Sequence, residues 1–535
     1  MITGRVMARV TPDVTAHRTV HVTGDTVLSA ACLCPNAVSH QSEREHVNAG
    51  QRGVEEFPAE LLRFFTQGRG QVLLVRGDPG AGKTLFAVQA LDILRQYGGD
   101  VLYVTTRVDT DTIYRNYLRE TTRLTPSNVL DISQDPFDAD ITPAEEIGAD
   151  RFDPDTFLEW LQAVSDVSDP FTAVFDSWEL VEQHLLSEAH QDDAPEPEEL
   201  VTRMAKLARR HGFRVILITE EPEQTNLDYV VDGVVELRVG HSTGGRPERE
   251  LLLEKLRGVR IANRTQPFTL SEETFRVFTP VDLPVSRGVV GDPEWTPVDN
   301  SRSKFSTGIE DLDTMLDGGY NRGSVVHFEL GPDLSRDAWS LPCLATAQNF
   351  LSHDLGVAVV PLPESSPGLV RRNLEPGLPD SEFEARCEVF ETYDHASMTA
   401  MSGVDDEPTD HNGEDSGDAG GFEYDDYIRR LESLREESDG PLLHTISMDA
   451  AGDALSDIMS DHATYVALHN DLSVLVTKPG SGERTRADRV ADVHLRLERR
   501  GETVFMYGKN PVTPFLGFDT SATDGTLDIA LQEMV

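Results

Sequence analysis

Short apolar runs alternate with amphipathic stretches along most of the chain. In the first half, strand-length apolar runs occupy Gln71–Arg76, Asp100–Thr105, Phe171–Asp176 and Phe213–Thr219. Helical spacing of apolar residues occupies Phe57–Phe65, Lys83–Tyr97, Asp155–Val164 and Pro197–His211. Continuous apolar strands separated by helices predict a parallel sheet that is covered by helices on both faces. The predicted fold class is therefore α/β.

The same alternation resumes in the second half of the chain. The predicted elements there are Ser324–Leu330, Asp337–Leu351, Gly356–Leu362, Leu442–Met448, Leu472–Val476 and Val490–Leu497. The segment Val230–Leu237 reads VVDGVVEL, and the final apolar run reads VADVHLRL. Shared spacing around one aspartate indicates that the two halves are copies of one unit.

Composition divides the chain into five parts. Residues 1–54 are expected to be a disordered leader, or to lie upstream of the true start. The first unit is expected at 55–280, a proline-rich linker at 281–303 and the second unit at 304–535. Residues 402–426 contain ten Asp and Glu but no Lys or Arg, which predicts a flexible acidic insert.

The chain of 535 residues is strongly acidic, with 47 Lys and Arg against 93 Asp and Glu and a formal charge of −46. Only six of the basic residues are lysine. Acidic, lysine-poor chains are typical of proteins from a salt-filled cytoplasm, so the charge predicts halophilic adaptation more than a choice of partner. Nucleic acid is an unfavourable partner for such a surface. No apolar run approaches the roughly 18 residues of a membrane span, and we expect a cytoplasmic protein.

Residues 77–84 read GDPGAGKT between a predicted strand and a predicted helix, which matches the phosphate-binding pattern GxxxxGK[ST]. Glycines let backbone N–H groups curl around phosphates, and the helix N-terminus favours negative charge. We predict that Lys83 contacts the β- and γ-phosphates of ATP and that the Thr84 hydroxyl coordinates Mg²⁺. The predicted nucleotide-binding residues are Gly77, Asp78, Pro79, Gly80, Ala81, Gly82, Lys83 and Thr84.

Asp176 stands at the end of an apolar strand about 100 residues after this loop. A carboxylate at that place organises Mg²⁺ in P-loop folds, so we predict Asp176 as a second metal-site residue with Thr84. A strand-ending aspartate is also a common turn former.

Residues 306–326 read STGIEDLDTMLDGGYNRGSVV, which resembles the entry to a KaiC-type RecA-like domain. The first unit's EKLRG at 254–258 is similar to that family's KMR motif. The resemblance implies two tandem RecA-like P-loop domains, each a mostly parallel twisted sheet flanked by helices. It also implies that Lys255 and Arg257 contact the γ-phosphate of a neighbouring subunit in a homo-oligomeric ring, as catalytic groups. The alternative is an edge strand with solvated charges.

In overall plan, a P-loop copy followed by a degenerate copy resembles the gas-vesicle regulator GvpD and its relatives. That resemblance implies an ATP-dependent regulator that opposes a transcription activator through protein contacts and needs arginine-rich segments. The candidate basic segments are Arg203, Lys206, Arg209, Arg210 and Arg214 on one predicted helix, and Arg496, Arg499 and Arg500. Solvated helix charges are the alternative interpretation.

Two departures from the KaiC pattern limit the expected chemistry. Where that family has paired glutamates, this chain has Thr105, Thr106 and Arg107, so no general base is evident and hydrolysis is expected to be slow. Asp109, Asp111 or Glu179 could substitute. In the second copy the loop reads GPDLSRDA at 331–338, without the lysine, which predicts a unit that binds no nucleotide.

The leading functional prediction is an ATP-binding, slowly hydrolysing regulatory ATPase that requires Mg²⁺ and acts on a protein partner such as a transcription regulator. Two alternatives remain open at this point. One is a recombination-mediator ATPase that binds single-stranded DNA, which would need a basic, aromatic track. The other is a nucleotide sensor that binds ATP without hydrolysing it.

Overall fold

The computed structural model describes residues 54–535 apart from gaps at 119–122, 133–152, 168–169, 189–194, 221–225, 281–295, 375–379, 391–421 and 524–525 and single residues at 56, 69, 243, 364, 366 and 439. The predicted leader at 1–54 and the predicted insert at 402–426 lie almost wholly outside the described residues, and the predicted linker at 281–303 does so in part. No helix among the described residues is long and apolar enough to span a bilayer.

The first half of the chain forms one ten-stranded sheet in the order β1-β10-β9-β8-β7-β2-β6-β5-β3-β4. Its strands are β1 (Val54–Glu55), β2 (Gln71–Gly77), β3 (Asp100–Thr105), β4 (Val129–Asp131), β5 (Phe171–Asp176), β6 (Arg214–Ile218), β7 (Gly233–His241), β8 (Pro247–Leu256), β9 (Thr265–Thr269) and β10 (Arg276–Phe278). From β4 to β7 neighbouring strands are parallel, and from β7 to β1 they are antiparallel. The helices are α1 (Ala59–Gln67), α2 (Lys83–Gln96), α3 (Thr110–Tyr117), α4 (Pro154–Val167), α5 (Trp178–Glu188), α6 (Pro197–His211) and α7 (Leu227–Val230).

The second half forms a nine-stranded sheet in the order β15-β14-β16-β17-β13-β18-β19-β20-β21, preceded by the small hairpin β11 (Lys304–Phe305) and β12 (Tyr320–Asn321). Its strands are β13 (Ser324–Leu330), β14 (Gly356–Val360), β15 (Cys387–Val389), β16 (Leu442–Ser447), β17 (Leu472–Thr477), β18 (Val493–Arg500), β19 (Thr503–Asn510), β20 (Leu516–Thr523) and β21 (Thr526–Glu533). The helices are α8 (Glu310–Met315), α9 (Ser340–Ser352), α10 (Pro367–Leu374), α11 (Asp380–Arg386), α12 (Tyr424–Ser438), α13 (Met448–Ser456), α14 (Met459–His469) and α15 (Arg484–Val490). The strands up to β18 are parallel, and β18 to β21 are antiparallel.

Each sheet separates two apolar cores because its strands are buried on both faces. In β2, Leu73 and Val75 contribute to one core, while Val72 and Leu74 contribute to the other. The second sheet divides in the same way, with Val326 on one side and Val325 on the other. The prediction of two tandem RecA-like α/β units, each with a mostly parallel sheet flanked by helices, is confirmed.

The two parallel sheets have the same strand order, and matching hydrogen bonds anchor them. The Asp232 carboxylate accepts the backbone N–H of Val72 at 3.2 Å, and Asp492 accepts that of Val325 at 2.9 Å. These bonds join the two segments that were matched by sequence. They show that the repeat inferred from VVDGVVEL and VADVHLRL is also a repeat of structure.

One pair of charges is inverted between the copies. Arg76 on β2 lies opposite Glu236 on β7 and forms an ion pair with it. At the matching register in the second unit, Glu329 on β13 lies opposite Arg496 on β18, and these residues are also paired. The copies therefore keep the ion pair while exchanging which strand carries each sign.

Two of the predictions made from the sequence are wrong. The acidic insert was predicted to reach residue 426, but α12 begins at Tyr424, because Asp425 and Asp426 suit a helix N-terminus and its later residues are buried. Arg214 is not on the basic helix; it begins β6, and its Nε donates to the Phe65 carbonyl oxygen. In the second unit, strand register makes Ser447 the counterpart of Asp176.

The two units contact each other through their antiparallel extensions. Phe278 of β10 packs edge-on against Phe505 of β19, with ring centroids 4.8 Å apart. The Arg246 guanidinium lies 4.2 Å from the Tyr507 ring and donates to two backbone oxygens of the second unit. Arg500 of β18 forms an ion pair with Glu248 of β8. These contacts place the end of β21 beside the first unit.

Candidate nucleotide site

The loop at residues 77–84 connects β2 to α2 at the carboxyl end of the parallel strands. Gly80 and Gly82 have φ values of 79° and 99°, which residues with a side chain rarely adopt. A Cβ at Gly80 would meet nothing within 4 Å, so space lies open on that side of the loop. A glycine-lined turn that leads into a helix N-terminus presents backbone N–H groups to an anion.

Lys83 begins α2 and is buried. Its ammonium donates to the backbone oxygens of Gly77 and Asp78, so the side chain folds back over the loop. Burial lowers the Lys83 pKa, while the charges of nearby carboxylates act to raise it. Those carboxylates, the strongest first, belong to Glu220, Asp176, Glu179 and Asp78. A buried ammonium held by two carbonyl groups is suited to turn toward a phosphate.

Asp176 ends β5 and lies beside the first turn of α2. Its Oδ2 accepts hydrogen bonds from the Thr84 hydroxyl at 2.9 Å and from the Tyr103 hydroxyl at 2.5 Å. Burial and the Asp176 charge raise the Tyr103 pKa well above its ordinary value, so this phenol stays a donor. The structure thus brings together the two predicted metal-site residues, Thr84 and Asp176. A hydroxyl and a carboxylate oxygen are ligands that suit Mg²⁺, so this pair could hold the ion of a bound Mg-nucleotide.

Tyr103 was not among the sequence candidates. It comes from the strand beside β5, and its contact with Asp176 depends on strand order, which the sequence pattern did not provide.

The edge where KaiC proteins have paired glutamates carries an ion pair here. Arg107, just after β3, contacts Glu220 at 2.5 Å, and Glu220 follows the end of β6. Among the carboxylates near Lys83, Glu220 has the largest effect on the Lys83 pKa. Glu220 is not among the residues predicted from the sequence, although its position just beyond an apolar parallel strand was a usable signal.

The three acidic substitutes that the sequence suggested have other surroundings. The Asp109 carboxylate caps α3 by accepting from the backbone and hydroxyl of Thr112, at 2.9 and 2.7 Å. Asp111 is exposed in the first turn of that helix. Glu179 accepts from the Thr219 hydroxyl and from the Glu220 backbone N–H. Among these groups Glu220 remains the strongest candidate for a base, provided that Arg107 releases it.

Lys255 and Arg257 lie at the opposite end of the sheet from the P-loop, since Lys255 pairs with Val234 near the start of β7. Lys255 donates to the backbone oxygens of Asp228 and Val231, each at 2.7 Å. Arg257 contacts the Asp232 carboxylate at 3.1 Å and is about half exposed. They are too far along the strand to contact the phosphates of their own P-loop.

In the second unit the corresponding loop, residues 331–338, lacks the inner glycines and the lysine of residues 77–84. Residues Arg336–Trp339 form a 3-10 turn, and the Ser335 hydroxyl caps it. Asp337 stands in that turn, and its carboxylate accepts from the Ser365 hydroxyl at 3.3 Å. Trp339 is buried in the core behind it.

Several of the candidate basic residues are paired with carboxylates inside the chain. Arg203 pairs with Asp155, and Arg209 pairs with Asp232 at 2.8 Å. In the second segment, Arg496 pairs with Glu329 and Glu498. The remaining residues of that segment, Arg499 and Arg500, pair with Glu502, Glu498 and Glu248. These arginines form ionic networks in which carboxylates offset their charge.

One other group of side chains among the described residues has the composition of a metal site, namely His327, Asp488 and His494. Asp488 Oδ1 lies 2.7 Å from His327 Nδ1 and 3.0 Å from His494 Nδ1, and the two rings stack at 4.5 Å. His327 therefore donates to Asp488, and burial together with the His494 charge lowers its pKa to about 4.

The charges around this group oppose a further cation. Glu329, which contacts His494, already has three cationic partners. They are Arg484, Arg496 and Lys509. Hydrogen bonds and ion pairs account for the group without a metal.

Family models match both units. Residues 61–254 match the P-loop domain of the GvpD gas vesicle protein, and residues 294–535 match the GvpD basic region 2.

The curated proteins that this chain resembles include two GvpD proteins. Protein GvpD2 of Halobacterium salinarum is 47% identical over 502 residues, covering 92% of this chain and 99% of that protein. Protein GvpD1 of the same organism is 43% identical over 534 residues, with the same coverage. A circadian clock oscillator protein KaiC of Acaryochloris marina is 24% identical over 278 residues, which is 48% of this chain and 47% of that protein.

Proposed function

This chain belongs to the GvpD family, and on that premise we propose that it is a regulatory ATPase whose first unit binds Mg-ATP. It hydrolyses ATP slowly and uses the bound nucleotide to control its contact with a protein partner, a transcription regulator. The second unit binds no nucleotide and serves a structural or docking role. The observation that carries this proposal is the convergence of Lys83, Thr84 and Asp176 at one edge of the first sheet.

Each of these groups has a distinct part in binding. Lys83 would leave the carbonyl groups of Gly77 and Asp78 to contact the β- and γ-phosphates. Thr84 and Asp176 are already oriented toward each other and would hold Mg²⁺, which when bound neutralises charge on the phosphates. Tyr103 keeps Asp176 in place by its hydrogen bond.

Slow hydrolysis is supported by the state of the candidate base. Glu220 forms an ion pair with Arg107, so the carboxylate oxygen that would orient an attacking water is already engaged. General-base catalysis contributes about 10²- to 10⁴-fold to a rate, so a base that is only sometimes free gives a low turnover. Binding of a partner that moves Arg107 away from Glu220 would raise the turnover.

The first experiment measures binding of a fluorescent ATP analogue, with Mg²⁺, in concentrated KCl. The wild type should bind one equivalent, and Lys83→Ala should weaken binding by at least about tenfold, because the phosphates lose their cation. Lys206→Ala is the matched control, since it removes an exposed lysine of α6 far from the loop. Equal affinity of the wild type and Lys83→Ala would contradict the proposal.

The second experiment addresses the partner. The wild type and Lys83→Ala are used as bait in cell extract, with and without Mg-ATP. A transcription regulator that is retained by the wild type only with nucleotide supports the proposal. A recombinase, or single-stranded DNA bound at high salt, would instead favour the recombination role.

A second candidate function is a nucleotide sensor that does not hydrolyse ATP. It is favoured by Arg107, which stands where KaiC proteins carry the paired glutamates. Phosphate release in a single-turnover reaction separates the two functions. A slow burst of one phosphate per chain indicates an ATPase, and release no faster than that of Lys83→Ala indicates a sensor.

A further inference from the structure

The Arg249 side chain connects the P-loop of the first unit, residues 77–84, to the end of the last strand of the second unit. It lies on β8 opposite Val239, at the P-loop end of the sheet. Its Nη1 donates to the backbone oxygens of Gly80 at 3.2 Å and Ala81 at 3.4 Å. Its Nε donates to the backbone oxygen of Val535, just beyond β21.

A second path joins the same two places. The Thr269 hydroxyl donates to the Glu533 carbonyl oxygen at 2.7 Å and accepts from the Val535 backbone N–H at 3.3 Å. The next residue, Leu270, packs so tightly on the P-loop that a Cβ at Gly82 would lie 2.8 Å from its Cδ1. The end of β21 is thus held by Arg249, which also contacts Gly80 and Ala81, and by Thr269, whose neighbour Leu270 packs on Gly82.

These contacts bear on the atoms that bind phosphate. In a planar trans peptide, the carbonyl oxygen of one residue and the N–H of the next point in opposite directions. Holding the Ala81 oxygen therefore fixes the direction of the Gly82 N–H. A guanidinium spreads its donors over one rigid plane, so it can span the two loop carbonyl groups and the Val535 oxygen, whereas the three donors of an ammonium diverge from a single nitrogen.

We propose that Arg249 is a positioning residue which makes the nucleotide affinity of the first unit depend on docking of β21 from the second unit. The inference rests on the proposed function in that a nucleotide occupies the P-loop. Because coupling between two binding equilibria is reciprocal, the nucleotide stabilises the docked β21 by the same factor. The degenerate unit acts on the ATP site in this way, although its own loop has no lysine.

The variants separate this coupling from general damage to the interface. Arg249→Ala removes the hydrogen bonds to both the P-loop and Val535. Arg249→Lys keeps the positive charge but loses the planar guanidinium. Thr269→Val removes the hydrogen bonds from residue 269 to the end of β21. Arg246→Ala is the matched control. Arg246 also donates to backbone oxygens of the second unit, at Thr513 and Gly508, but none of its bonds reaches the P-loop.

We expect both Arg249 variants to weaken binding of the fluorescent ATP analogue by at least about fivefold, the lower end of typical coupling between sites. Thr269→Val should act in the same direction with a smaller effect, and Arg246→Ala should stay within about twofold of the wild type. If Arg249→Ala does not fold, Arg249→Lys and Thr269→Val carry the test. Wild-type affinity in all three variants would overturn the inference.

Hydrogen exchange gives a readout that needs no nucleotide. In the absence of ATP, amides at 80–84 should exchange faster in Arg249→Ala than in the wild type or Arg246→Ala. With ATP, exchange at 529–535 should slow in the wild type but not in Arg249→Ala. If the wild type binds no nucleotide, the proposed function fails, while exchange at 80–84 still decides whether Arg249 holds the loop. Unchanged exchange at 80–84 overturns the inference.

Discussion

At the scale of residues, the reaction expected at the nucleotide site depends on the pair Arg107 and Glu220. Arg107→Ala should raise the rate of ATP hydrolysis, by up to about tenfold, because it frees the carboxylate; tenfold corresponds to about 1.4 kcal/mol of barrier. Glu220→Gln should reduce hydrolysis to the level of Lys83→Ala without weakening nucleotide binding, because it removes the proton acceptor and, with it, a negative charge near Lys83. Phosphate release under saturating Mg-ATP measures both.

Asp111→Asn is the control for this pair, since its carboxylate is exposed and caps no helix. It should hydrolyse ATP at the wild-type rate. A loss of hydrolysis in Arg107→Ala would show instead that the guanidinium contacts the phosphates.

The same residues show how far the site was predictable. Lys83, Thr84 and Asp176 were found by sequence because a fixed spacing and a strand end identify them, and the structure brings these groups together. Glu220 and Tyr103 were missed because they reach the site from separate strands, and the order of strands in a sheet is not contained in local spacing. Nothing in the sequence indicated that Arg107 would be paired.

At the scale of elements, two buried histidines of the second unit make its folding sensitive to acid. His327 on β13 has a pKa lowered to about 4, by burial and by the His494 charge. His462 on α14 has a pKa lowered to about 3, by burial and by the neighbouring His444. Both are neutral when folded and take up a proton near pH 6.5 when unfolded, so acid favours the unfolded chain.

We therefore expect the free energy of unfolding to fall as the pH drops below about 6.5, by about 1.4 kcal/mol per pH unit for each histidine. Urea denaturation between pH 7.5 and 5 in concentrated KCl measures this. In His462→Gln the slope should fall by about half, and an unchanged slope would contradict the assignment.

At lower pH, Glu329 adds a loss of the same sign. Burial opposes its ionisation, but hydrogen bonds from His494 and Lys509 hold its pKa at about 2, so its stabilising charge disappears in acid.

Prediction of elements succeeded where burial was complete. The parallel strands β2, β3, β5 and β13 were predicted to within one residue because both of their faces are apolar. The antiparallel extensions were not delimited, because half-buried and buried residues mix along them, as in β8. The start of α12 was missed because its first residues are acidic, and composition alone does not separate an acidic helix start from an acidic loop.

At the scale of the whole molecule, the charge of −46 predicts a dependence on salt. Repulsion between like charges destabilises the compact state, and its range shrinks from roughly 10 Å at 0.1 M salt to roughly 3 Å at 1 M. The temperature of unfolding should therefore rise when KCl is increased from about 0.2 to about 3 M. A temperature that stays constant or falls would contradict this; potassium glutamate, at matched ionic strength, controls for specific effects of chloride.

Assembly is a second property of the whole molecule. We propose that Lys255 and Arg257, which lie too far from their own P-loop, act on the phosphates of a neighbouring copy, so nucleotide should promote association of the wild type into a homo-oligomer. The double variant Lys255→Ala, Arg257→Ala should bind ATP normally but hydrolyse it more slowly, and its rate should no longer rise with protein concentration. Light scattering and phosphate release across a concentration series test this. The single variant Arg238→Ala, which changes an arginine of β7 paired with Glu236, serves as the control.

The presence of two copies was predictable from the sequence, but their contact was not. Arg246 and its partners in the second unit are more than 250 residues apart in the chain, and no periodic pattern links them. The interface is a matter of shape and hydrogen bonding that only the assembled structure reveals.

The inverted ion pairs have a consequence for how a duplicated chain folds. Two copies with the same strand order can exchange strands during folding, a common failure of tandem repeats. If β13 took the place of β2 beside β7, Glu329 would face Glu236, and the reciprocal exchange would set Arg76 against Arg496. Each wrong pairing places like charges together at a buried position. The inversion thus favours pairing of each strand within its own copy, because an exchanged strand would bring like charges together.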